Sequence, residues 1–370
     1  MQRTVDTFFL FVTSVLVVAG IFIFISASTG LLARPESIDV SSQIITQLIS
    51  LGIGVLLACI TIKIPITFWN KYAFYFFLVT FFSTFLVFAP FIGSEHGGAH
   101  RWINLGFISI QPAEFLKFGF ILYFAAWCAA ARKRIHTITY GPLALVVFLS
   151  IVGSALIFQP DYGTLIIIGV TGFSMLVFAG AQWKHLLSLV VIGSVCATLI
   201  VFFVPYIGDR VDTFLNPDKD PLGAGYQINQ SLIAIGSGQI TGRGFGQSVQ
   251  KFSFLPEPMG DSVFAVFAEE WGFIGGIVLI ALFIAFLNFG YRIAIRAETT
   301  FSRLIVLGFV TAIVTQSFIN IGSMLGVFPL TGDPLVFVSK GGTSLFMTLA
   351  EIGIILAISK HAKEASPAKK

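Results

Sequence analysis

The chain has 370 residues, of which 56% are hydrophobic and only 11% charged, with a formal net charge of +4 and a mean hydropathy of +0.92. Soluble domains carry about a quarter of their residues as Asp, Glu, Lys and Arg, so this deficit excludes an ordinary soluble globule. No Arg/Lys-rich arm with interleaved aromatics is present, which excludes a nucleic-acid binder. The three cysteines, Cys59, Cys128 and Cys196, each lie in an apolar run without a CxxC, a pattern of small hydrophobes rather than of disulfides or a zinc site.

Apolar runs long enough to cross a bilayer fall near 8–28, 43–62, 72–92, 112–131, 142–158, 163–181, 185–205, 262–289, 304–325 and 343–359. The first run is too long for a signal-peptide core and a second full-length run follows it, so it is predicted to be an uncleaved span. The fifth is short and ends at Gln159-Pro160-Asp161, predicting a helix that stops within the membrane or a reentrant bend. Segments on the side of the N-terminus carry fourteen Lys and Arg, against four (Arg34, Arg101, Lys117 and Lys340) on the other side's short segments. Positive charge marks the cytoplasmic side, so both termini are predicted inside. The expected fold is a single all-α polytopic membrane domain, residues 1–370. It has about ten transmembrane helices, a large extracytoplasmic loop at about 206–261 between spans seven and eight, and a short cytoplasmic tail, 360–370.

Within the loop, Tyr226 to Ile235 has apolar residues at helical spacing, suited to lying along the membrane interface. The glycines that follow, Gly236, Gly238, Gly242, Gly244 and Gly246, do not match a dinucleotide fingerprint; they suit tight turns or close backbone approach.

Ionisable groups at spans are costly and ask for a reason. Arg101, Glu114, Lys117, Asp161, Asp261, Asp333 and Lys340 gather at outer ends. Glu114 and Lys117 share one face of a helical turn, so they either pair with each other or let Lys117 join Arg101 in facing an anionic group. Asp161 either caps the following helix or lines the same cavity. For Asp261, a helix-capping role and a general-base role stand level. Glu269, about 80° around the helix from Asp261, is expected to share its cavity, while Glu270 is expected to pair with another helix. His96 and His100, four apart in a Gly-rich stretch, suit a solvated or interfacial role better than metal binding.

In order, HRWINLGFISIQPAEFLKF (100–118), QPDYGT (159–164), YQINQSLIAIGSG (226–238), FLPEPMGDSVFAVFAEEWGFIG (254–275) and NIGSMLGVFPLTGDPLVFVSKGGTS (320–344) resemble the SEDS family of cell-wall synthases, which includes FtsW, RodA and SpoVE. The aromatic in QPDYGT and the stretch GQSVQKF lean toward FtsW. The resemblance implies a lipid II-dependent, inverting peptidoglycan glycosyltransferase at the outer face of the cytoplasmic (inner) membrane, with septal synthesis as its role. Asp261 falls on the family's catalytic Asp, and Arg101, Glu114, Lys117 and Asp161 on its polar cavity positions. Gln159, Glu257 and Lys340 complete the candidate substrate-binding set. Met259-Gly260 stands where the family often has His-Thr, and Asp333 and Lys340 replace residues that are usually apolar and aromatic; an Asp333–Lys340 pair or a phosphate contact from Lys340 would account for them.

No resident cofactor is implied. Positive charge at the leaving pyrophosphate would come from Arg101, Lys117, Lys340 or a divalent cation. The implied partners are lipid II (an undecaprenyl-pyrophosphate disaccharide-pentapeptide), a class B penicillin-binding protein of the FtsI type and other division proteins. The alternatives are a RodA-like elongation polymerase, a lipid II flippase and a non-catalytic division scaffold.

Overall fold

The computed structural model describes residues 5–33, 40–89, 93–96, 99–104, 106 and 109–361. Arg3, Arg34, the tail beyond 361, and the side chains of His96 and His100 lie outside the described residues. In hydrocarbon every backbone polar group must be satisfied within the segment, and the apolar runs accordingly form helices. In chain order these are α1 (Thr7–Ser28), α2 (Val40–Thr61), α3 (Ile66–Ser83), α4 (Pro112–Ala130), α5 (Pro142–Phe158), α6 (Tyr162–Ala179) and α7 (Trp183–Phe203), then α8 (Pro205–Leu215) and α9 (Tyr226–Ser237) in the long loop, then α10 (Val263–Arg296), α11 (Thr300–Met324) and α12 (Gly342–Lys360). Among the described residues, nine helices are long and apolar enough to span; α5, with 17 residues, is the short tenth segment.

The bundle is built around α11 and α12. Of their most apolar stretches, 78% and 94% of residues are buried, against 6% for α7, so α7 stands at the periphery with its side chains toward lipid. Helices in lipid gain no hydrophobic drive from one another and associate through small residues that permit close packing. At the α2–α12 crossing a Cβ on Gly353 would lie 2.0 Å from the Thr61 hydroxyl, and that hydroxyl donates to the Ala350 carbonyl at 3.0 Å.

Two features depart from the expected plain bundle. A small antiparallel sheet, β1 (Gly93–His96), β2 (Ala99–Asn104) and β3 (Ser109–Ile110), covers the outer end and presents Arg101. The long apolar run after Asp261 is not one helix: Gly272 has φ +65° and breaks α10. The freed backbone groups pair with the glycine-rich loop, where the Phe273 and Ile274 amides donate to the carbonyls of Gln239 and Ile240, and the Arg243 and Gly244 amides donate to those of Glu269 and Glu270. A Cβ on Gly272 would meet the Gly242 nitrogen at 2.3 Å, so close backbone approach explains glycine on both sides. α9, with its apolar residues at helical spacing, packs one face on α10 and α11, burying Ile228, Ser231 and Ala234.

Candidate functional site

Asp261 sits immediately before α10, whose N-cap is Ser262. Among the described residues its carboxylate accepts from no amide of the first turn of α10, so the capping reading does not hold. Oδ1 accepts from Gln227 Nε2 at 3.0 Å, and the Asp261 carbonyl accepts from Asn320 Nδ2 at 2.8 Å. Burial pushes the carboxyl up to about 6; the Gln227 hydrogen bond opposes this, neighbouring Glu257 adds to it and Arg210 opposes it. Glu257 lies between two prolines with φ +42°, and its carbonyl accepts from the amides of Gly260 and Ser262, closing the turn that delivers Asp261.

Asp261 opens into a cavity of 280 Å³ shared with Gln227, Tyr206, Asp209 and Arg210. Tyr206, Arg210 and Leu330 also line a larger apolar groove of 630 Å³ between α6, α7, α8 and α11, with Arg101 at its polar end. Arg210 lies over the Tyr206 ring at 4.7 Å and donates to the Leu330 carbonyl. Arg101 donates to the carbonyls of Gln159 and Pro160. Two guanidiniums thus flank the junction of a polar pocket and an apolar groove.

Four expected lining residues form a buried floor instead. Lys117 pairs with Glu114 at 2.7 Å and donates to Gln316 at 2.7 Å, so the internal ion pair describes it rather than an open cation. Asp161 caps α6 by accepting from the Thr164 amide, with its other oxygen held by Gln111. Gln159 donates to the Thr84 carbonyl at 2.7 Å. The reason is common to all: at membrane depth each finds a protein partner, because a polar group left bare there costs several kcal/mol.

Glu269 is not in the Asp261 cavity. It accepts from the Ser248 hydroxyl and the amides of Val249 and Gln250, and pairs with Arg243 at 3.5 Å. The break at Gly272 brings the glycine-rich loop onto this turn, which an unbroken helical wheel does not anticipate. Glu270 pairs with Lys251 at 2.7 Å and accepts from Ser26 of α1, as expected of a residue that reaches another helix. Lys340 is exposed; its amide donates to the Met259 carbonyl, and it makes no ion pair with Asp333 among the described residues. Asp333 is buried against Gly163; burial, then the Asp161 charge, push its carboxyl up to about 7.

Sequence reasoning missed Gln227, Asn320 and Arg210. The first two lay inside quoted motif blocks as polar residues on a helix face that turns inward. Arg210 was discounted with the other charges of the long loop.

The FtsW/RodA/SpoVE family model, described as cell cycle protein, matches residues 6–364. The chain is 38% identical to stage V sporulation protein E of Bacillus subtilis, over 86% of this chain and 87% of that protein. It is 39% identical to a probable peptidoglycan glycosyltransferase FtsW of Coxiella burnetii, over 85% and 86%. Among solved structures it is similar to a chain of a peptidoglycan synthase complex (TM-score 0.80, 27% identity, 96% and 98% coverage). It is also similar to an Asp-to-Ala mutant of Thermus thermophilus RodA (0.70, 26%, 97% and 99%). With the match running nearly end to end over a multi-pass helical bundle, the chain belongs to the FtsW/RodA/SpoVE family of cell cycle proteins.

Proposed function

We propose that the chain polymerises lipid II at the outer face of the inner membrane with Asp261 as general base, and that it serves septal synthesis. It is a peptidoglycan glycosyltransferase of its family, and FtsW proteins recur among its relatives. The acceptor sugar hydroxyl attacks the donor's anomeric carbon as Asp261 takes its proton. The bond from that carbon to the pyrophosphate oxygen breaks, and undecaprenyl pyrophosphate departs with the electron pair. A pyrophosphate leaves as a stable anion, so one base suffices. Attack opposite the leaving group inverts the anomeric centre.

The observation that carries this reading is the junction: an uncapped carboxylate in a polar pocket, contiguous with a lipid-side apolar groove and flanked by Arg101 and Arg210. The groove suits a polyprenyl tail, and the guanidiniums suit pyrophosphate oxygens. They replace Lys117 as the inferred cradle, with exposed Lys340 as a further source of positive charge on this reading. Among the described residues no three His, Cys, Asp or Glu gather as a metal-binding group; a divalent cation would supplement the arginines. The likeness to a chain of a synthase complex supports a cross-linking partner of the class B penicillin-binding type.

The test is polymerisation of purified lipid II in proteoliposomes, with and without that partner. Asp261→Ala with an unchanged unfolding midpoint should leave no glycan product; product at the wild-type rate would sink the reading. Translocation of labelled lipid II that survives loss of Asp261 would favour a flippase. For the cellular role, depletion should give filaments; round cells would point to elongation.

A further inference from the structure

The Asp261 carboxylate is held from outside its own segment. Gln227 of α9 donates through Nε2 to Asp261 Oδ1 and to Ser262 Oγ, both at 3.0 Å. An ionised carboxylate only accepts hydrogen bonds, so the amide must present its nitrogen, and both hydrogens of that nitrogen are used. Among the described residues Gln227 is the one side chain hydrogen-bonded to this carboxylate, which leaves Oδ2 without a side-chain partner. α9 is itself fixed: Ser231 Oγ donates to the Gln227 carbonyl at 2.8 Å and lies 3.4 Å from Met324 Sδ, with Ile228 and Ala234 buried beside it. From the other side, Asn320 of α11 holds the Asp261 and Asp333 carbonyls at 2.8 and 2.9 Å. The backbone is thus pinned by α11 and the side chain by α9.

We propose that Gln227 is a positioning residue that orients Asp261 with Oδ2 toward the acceptor hydroxyl and sets the lower end of the pH range in which the base works. The catalytic half of this rests on Asp261 being the general base. A glutamine fits the task for a physical reason: it donates to the anion and carries no charge of its own, so it holds the carboxylate without quenching its basicity as a lysine would. It also does not titrate, as a histidine would. The charged and titratable groups around Asp261 are Tyr206, Asp209 and Arg210 from α8, Glu257 on its own loop, and Asp333 beyond Gly332 in the segment before α12. α9 and α11 face it with the neutral amides of Gln227 and Asn320. Of these groups Gln227 is the one bonded directly to the carboxylate oxygen. Its loss withdraws a hydrogen bond from the ionised form alone, so the carboxyl titrates at higher pH.

The test uses the full chain in proteoliposomes. Difference-infrared titration follows the carboxyl band that Asp261→Asn removes, and lipid II turnover is measured across the same pH range. Gln227→Leu and the closer-sized Gln227→Met should raise the titration midpoint by about one pH unit, as expected for loss of a hydrogen bond to a charged group. Gln227→Glu should raise it further. The rate deficit of each variant should be about tenfold greater below the wild-type midpoint than well above it, because a base with a raised pKa is protonated over a wider acid range; KM should hold. An unshifted midpoint, a deficit equal at all pH values, or collapse of the unfolding midpoint in every variant would overturn the proposal. If Asp261→Asn still polymerises, the base assignment fails, and the infrared midpoint still reports whether Gln227 controls the carboxylate.

Discussion

Two buried polar clusters lie along the same helices and are finished differently. Around the α10 break, Glu269, Glu270, Lys251, Ser248 and Ser26 satisfy one another, and Gln250 Oε1 alone is left buried without a partner among the described residues there. Lys251, which is fully buried, reaches Glu270, Ser26 and the Gly246 carbonyl at 2.7, 3.1 and 2.9 Å. Beneath Asp261 the account does not close. Among the described residues, Asp333 Oδ2, Asn320 Oδ1, Gln159 Oε1 and both carboxylate oxygens of Glu351 are buried without a hydrogen-bond partner. An unmade buried hydrogen bond costs about 1–3 kcal/mol, so the second cluster is held at the expense of stability. A fold tolerates that at a working site and avoids it at a structural one. The first cluster is a clamp that seats the loop; the second surrounds the proposed base.

The contrast is sharpest for Asp261→Asn, which should cut glycan synthesis by about 10²–10⁴-fold with little change in the unfolding midpoint; a large stability loss would erase the distinction. Lys251→Met should do the reverse, destabilising by about 3–5 kcal/mol because Glu270 is left as an uncompensated buried charge. The double variant Lys251→Met/Glu270→Met should recover most of that loss in thermal unfolding. Glu351→Gln removes a carboxylate whose two oxygens have no hydrogen-bond partner among the described residues, so its unfolding midpoint should stay or rise. A drop comparable to Lys251→Met would mean the second cluster is also a clamp. A further contrast concerns Asp333. Its folded-state pKa is raised above the ordinary carboxylate value to about 7, so the folded chain binds the extra proton between about pH 4 and 7. Stability should therefore decline as pH rises through that window. Asp333→Asn should flatten this decline in a series of melting curves; an unchanged slope would assign it elsewhere.

The spans were legible because hydrocarbon imposes one rule on every segment, and the short fifth run announced itself through Gln159-Pro160-Asp161. The Asp261 assignment came from motif order, and the structure added that Ser262, not Asp261, occupies the N-cap position of α10. The places of Lys117, Asp161 and Glu269 were less legible. Each depends on what another part of the chain brings to it, and the partners Gln316, Gln111 and Ser248 lie 199, 50 and 21 residues away. Helical periodicity places Glu269 by angle alone; the reversal at Gly272 and the inserted loop decide what it meets. The same non-locality hid Gln227, whose importance lies in a contact across 34 residues.

The peripheral placement of α7 has a consequence for selectivity. One wall of the groove is a helix with few of its residues buried, so a polyprenyl chain seated there would exchange hydrocarbon for hydrocarbon. Such a move gains almost nothing by partition, since lipid tails are as apolar as the leucines that replace them. On the proposed function, discrimination would then be made at the headgroup, by the two guanidiniums and the pocket of Asp261. The tail contributes mainly by confining its bearer to the two dimensions of the bilayer.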